Sequence, residues 1–135
     1  MNEGGWRMRE IKFRVWDKNR GKMYGEFTPD LLIQFDGKLQ SINTNLYVQG
    51  VTNTPQLPIM QYTGLKDRNG NEIYQGDIIR WHDVVTIDYP ITFTDGVFCL
   101  NDNPSENFFH HREDINTKWE VIGNIYENPE LLKAE

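Results

Sequence analysis

Lys12, Arg14 and Trp16 stand at alternate positions of one short run, and Arg80 is followed by Trp81 and His82 further along the chain. Cations interleaved with aromatic rings are what a phosphate backbone with stackable bases requires, so Lys12, Arg14, Trp16 and Arg80 form one candidate binding strip. Trp16 falls on the polar phase of its run, a position that also suits a ring covering a sheet edge or packing in a subunit interface. Between Arg7 and Lys22 there are seven basic residues and two acidic ones, a local balance of +5 in a chain of net charge −6, so the remainder carries −11. A phosphate-facing strip accounts for that asymmetry, and so does a basic strand docked beside acidic strands of the same molecule.

Other chemistry finds little support. His82, His110 and His111 are the histidines, and neighbouring histidines on a strand point to opposite faces and cannot chelate one ion together. Asp67, Asn69, Asn71 and Glu72 have the composition of a calcium loop, but Gly70 falls at its fourth position and Ile78 at the twelfth, where a bidentate Glu is needed. Cys99 lies in the apolar run 97–100 and reads as a buried, inert thiol. Ser41 and Ser105 lack a nucleophile elbow, Glu113 and Asp114 read as a solvated loop, and no Gly-rich phosphate loop occurs. The reading is a non-enzyme without metal or cofactor.

The elements that position these residues are read as strands. Ile11, Phe13 and Val15 alternate with Lys12, Arg14 and Trp16 over residues 10–16, the period of a half-buried strand, and residues 19–22 turn the chain. Asp36 and Gly37 join runs 31–35 and 38–42 into a hairpin. Residues 50–58, with Pro55 and Pro58, read as a loop separating two halves of one domain. Strands are then expected at 59–63, 72–74, 78–81, 84–88, 91–94 and 97–100, with turns at Gly64, at Asp67 to Gly70, at Gly76 and Asp77, and at Asp95 and Gly96. Asp77 is placed to accept backbone N–H groups at the entrance to the strand that follows it. Residues 101–117 read as polar and irregular, and 119–125 as a last strand with Trp119 in the core. Asn128 then caps a helical turn opened by Pro129. Short, evenly spaced strands of this kind suit a small closed or nearly closed barrel.

The chain has 135 residues, 38% of them hydrophobic and 13% aromatic, which fits one soluble domain able to bury its own core. No run approaches the ~18 apolar residues of a membrane helix, the start lacks the apolar core of a signal peptide, and a lone cysteine suits a reducing compartment. A cytoplasmic protein with no membrane partner is expected.

Three runs resemble the YopX family, small proteins encoded by bacteriophages and prophages. They are MREIKFRVWDKNRGKMY (8–24), MQYTGLKDRNGNEIYQGDIIR (60–80) and WEVIGNIYENPELL (119–132), with FTDGVFCL (93–100) as a weaker fourth. The family's usual start corresponds to Met8, so residues 1–7 read as a flexible extension, and 26–58 carry no matching motif. The resemblance implies a mainly-β protein, with N-terminal strands in 8–50 packed against an SH3-like barrel region in 59–128, little helix, and a bacterial host cytoplasm. It implies no established activity. The function expected is that of a non-enzymatic phage accessory protein that binds itself, as a homo-oligomer, or another phage or host protein. The alternative is a nucleic-acid-binding module that uses the basic and aromatic strip.

Overall fold

The computed structural model describes residues 10–18, 20–25, 31–33, 39–42, 58–107 and 112–132. The extension expected at 1–7, most of the loop 50–58 and the adjacent His110 and His111 lie outside these residues. The protein is mainly β. In chain order the strands are β1 (Phe13–Asp17), β2 (Lys22–Tyr24), β3 (Leu31–Ile33), β4 (Leu39–Ile42), β5 (Ile59–Lys66), β6 (Glu72–Tyr74), β7 (Asp77–His82), β8 (Thr86–Thr94), β9 (Val97–Leu100) and β10 (Asn103–Asn107). A short helix, α1 (Arg112–Lys118), strand β11 (Trp119–Asn124) and a 3-10 turn at Pro129–Leu132 follow.

One antiparallel sheet has the order β2-β1-β5-β6 and another the order β10-β9-β8-β7-β11, while β3 and β4 pair as the hairpin read from the sequence. These curled sheets are compatible with the SH3-like barrel the family resemblance implies. The N-terminal strands do not merely pack against the later ones. β1 hydrogen-bonds directly to β5, with Phe13 opposite Gln61 and Val15 opposite Ile59, so the sheet crosses the seam expected near residue 58.

The alternation of β1 reports this placement. Val15 is fully buried, whereas the opposite phase, Lys12, Arg14 and Trp16, is only partly covered. The main core gathers Ile73, Ile79, Ile91, Phe98, Leu100, Ile115 and Trp119 between the sheets and α1. Trp119 is the core tryptophan, 2% exposed, with Trp81 edge-on at 4.9 Å. A smaller cluster, Met60, Tyr62 and Tyr74 with Trp16, Met23 and Tyr126, lies under β1.

Four local readings change. The polar stretch expected to be irregular after residue 100 contains β10, bulged against β9, and α1, which one apolar side chain, Ile115, anchors in the core. Val84 and Val85, expected within a strand, instead form the β7–β8 turn with Asp83, because His82 pairs with Thr86. β8 runs unbroken through Pro90, which fits because its carbonyl accepts from Asn101 N–H at 2.9 Å. The missing proline N–H therefore falls where the β9 ladder is ending. At the last turn, the Asn128 backbone carbonyl accepts from Leu131 N–H at 3.1 Å, while its side chain accepts from Asn124 N–H at 3.2 Å. The cap is made by the backbone, and the amide ties the turn back to β11.

Candidate functional site

Lys12, just before β1, and Arg14 and Trp16 on it meet three tyrosines and two carboxylates contributed by β5, β6, β7 and the segment after β11. Lys12 pairs with Glu72 and lies 5.3 Å from the centre of the Tyr62 ring; Glu10 approaches the same ammonium at 3.2 Å. Arg14 pairs with Asp77 and stands 4.5 Å above the Tyr74 ring. Trp16 stacks on Tyr126 at 6.3 Å. The Lys12 and Arg14 side chains are 15% exposed and that of Asp77 is 2% exposed, so these are pairs in a largely dry setting. The basic phase that reads as a strip from the sequence is turned onto carboxylates of its own chain.

The turn between β6 and β7 makes this arrangement. Gly76 has φ +92°, and a Cβ there would lie 3.1 Å from Met60 Sδ, so a side chain would face both an unfavourable backbone and a filled space. The chain can then place Asp77 below the turn, where Oδ2 accepts from Tyr74 N–H at 2.7 Å while Oδ1 faces Arg14. Burial pushes the Asp77 carboxyl up from its ordinary value, opposed by Arg14 and by the Tyr74 N–H. The Asp67 charge adds to that upward push. The Tyr74 hydroxyl donates to Glu72 at 3.2 Å, and burial, then the Glu72 charge, holds its proton more tightly than usual. Burial acts in the same direction on Tyr126.

Asp67 organises the turn before β6 and is 2% exposed. Its Oδ1 accepts from Asn69 N–H at 2.9 Å and Asn71 N–H at 2.8 Å, and its Oδ2 accepts from Val121 N–H at 2.8 Å. One carboxylate therefore closes a local turn and fastens it to β11. Gly70 (φ +85°) sits in that turn and Gly64 (φ +92°) at the irregularity in β5 between Tyr62 and Lys66.

Arg80 does not join Lys12, Arg14 and Trp16. It grips Asp88 on β8 with Nε at 2.7 Å and Nη2 at 3.0 Å, opposite Glu120 on β11. Glu120 is 2.7 Å from His82 Nε2. Lys18, Arg20 and Lys22 reach solvent together at the β1–β2 turn, a group the alternation of β1 gives no reason to single out, and Lys66 and Arg68 are exposed as well. Arg20 contacts Asp17 at 3.5 Å and the Tyr24 hydroxyl at 3.4 Å, and Lys22 lies 5.1 Å from the Tyr24 ring. Among the described residues, no group of three or more His, Cys, Asp or Glu could hold a metal ion. No helix among them is long and apolar enough to cross a membrane.

This architecture defines a mainly-β protein whose first strand is fastened to the second half of the chain by ion pairs and ring contacts. The chain belongs to the YopX family, whose model matches residues 12–133. Two solved structures are similar along nearly their whole length. Protein EF1440 from Enterococcus faecalis is 28% identical, with TM-score 0.65, and the match covers 93% of this chain and all of that one. The yopX protein from Bacillus subtilis is 26% identical, with TM-score 0.61 and the same coverage. No curated protein matches the chain.

Proposed function

We propose that the protein is a non-catalytic interaction module of a phage or prophage, acting in the bacterial cytoplasm by binding itself or another phage or host protein. The observation that carries this reading is the closure of the β1 charges: Lys12 and Arg14 are largely buried against Glu72 and Asp77, and Trp16 is stacked on Tyr126. A strand used in this way has little cationic surface left for phosphates, and the overall charge of −6 repels them. Membership of the YopX family supports the phage origin.

A nucleic-acid-binding module is the competing reading, and it would draw on exposed cations such as the Lys18, Arg20 and Lys22 group instead. Titration of labelled single-stranded and duplex oligonucleotides at about 20 mM salt separates the two, because phosphate contacts strengthen as salt falls. The interaction-module reading predicts no saturable binding. Saturable binding that weakens steeply with added salt, and that is lost on replacing Lys18, Arg20 and Lys22, would establish the nucleic-acid reading.

A further inference from the structure

The β7–β8 hairpin ends in a tip that its turn chemistry does not call for. Turns favour Gly, Asn, Asp and Pro, yet Val84 is 95% exposed and Val85 59%, with Ile87 next along the strand at 39%. Beside the same strand lies an open groove of about 630 Å³, where Ile87, Pro90, Leu131 and Leu132 are mixed with the polar side chains of Arg80, Asp88 and Asn101. That volume lies in the range of ordinary ligand clefts.

We propose that two copies of this chain pair reciprocally, the Val84–Val85 tip of each filling the Pro90, Leu131 and Leu132 groove of the other. The proposal rests on the self-association arm of the function argued above. Spacing permits a second copy as the occupant. Val84 and Pro90 are six positions apart, at most about 20 Å, so two hairpins laid side by side in opposite directions bring each tip onto the other's groove. The contact is then isologous and closes on two copies.

Charge points the same way. Asp83 opens the tip and makes an exposed contact with Lys118 at 3.3 Å, which exchanges readily. Arg80 uses two of its five N–H donors on Asp88 and shares its charge with Glu120, and its remaining donors can meet the Asp83 of a partner copy. The acidic residue at the tip disfavours an anionic lipid surface as the occupant. Val84 and Val85 of one tip fall short of the roughly 800 Å² per partner of a standard interface, so reciprocity is needed: each copy contributes both a tip and a groove.

The test uses full-length protein. Single-cysteine variants V84C and L131C, mixed and mildly oxidised, are expected to form the mixed V84C–L131C disulfide in preference to either homodimer, Cys99 being buried. Light scattering should show the wild type rising from 15.9 kDa toward twice that mass with concentration. V84D/V85D, which alters only a solvated turn, should weaken that association at least tenfold. The proposal is overturned by V84C homodimers outrunning the mixed species, by V84D/V85D associating within threefold of wild type, or by wild type remaining at 15.9 kDa up to about 100 μM. The first two results leave self-association standing through a different surface. The third leaves binding to another protein as the proposed function.

Discussion

Two Arg–Asp pairs in this molecule share a chemistry and differ in setting. Arg14 and Asp77 join strands 63 residues apart, with side-chain exposures of 15% and 2%. Arg80 and Asp88 face each other across one hairpin, with exposures of 35% and 21%. The second pair has the better fork geometry, yet water already satisfies much of its charge, and such pairs contribute little to stability. In the first, removing either partner leaves the other charged in a place that water does not reach. The difference between them is burial, which neither residue type announces.

The comparison is broken most forcefully at Asp77. Asp77→Ala removes the partner of Arg14 and the acceptor of Tyr74 N–H together, and should destabilise the protein by about 3–5 kcal/mol in urea unfolding. A loss below about 1 kcal/mol would place the pair with its exposed counterpart. Asp67→Ala is next, because it leaves the Asn69, Asn71 and Val121 amides without their acceptor; a loss of about 2–4 kcal/mol is expected. The same measurement on Asp67→Asn should recover part of it, since the remaining oxygen still accepts. Arg80→Ala gives the smallest effect, under about 1 kcal/mol and diminishing with salt, as checked by melts at low and high ionic strength.

Local signals in the sequence account for the legible part of this structure. Alternation placed β1 and its buried Val15, and Asp95–Gly96, with φ of 53° and 82°, marked the β8–β9 hairpin because both positions need a left-handed backbone. Gly76 and Asp77 identified a turn in the same way. What Asp77 faces was not legible, since Arg14 is brought to it only by the pairing of β1 with β5. Likewise nothing local to Trp16 points to Tyr126, and nothing near Asp67 points to Val121. α1 escaped because a seven-residue helix with one buried anchor, Ile115, has no apolar period to display. Val84 and Val85 misled for the opposite reason: their β propensity is high, but the register of His82 with Thr86 leaves them in the turn. The basic strip was visible as residue types, whereas its inward orientation depends on partners that arrive from later in the chain.

The central claim is that the cationic phase of β1 is an internal clamp. A double-mutant cycle on Arg14 and Asp77 tests it most directly, using Arg14→Met, Asp77→Asn and the double variant in urea unfolding at about 50 mM and 500 mM salt. Asn keeps an acceptor for Tyr74 N–H, so the cycle isolates the charge pair. The account predicts a coupling of about 2 kcal/mol or more that changes little with salt, and a double variant more stable than Asp77→Asn alone, because Asp77→Asn by itself leaves the largely buried Arg14 guanidinium without its partner charge. A coupling near zero, or one abolished at high salt, would mean that Arg14 faces water, and would contradict the clamp.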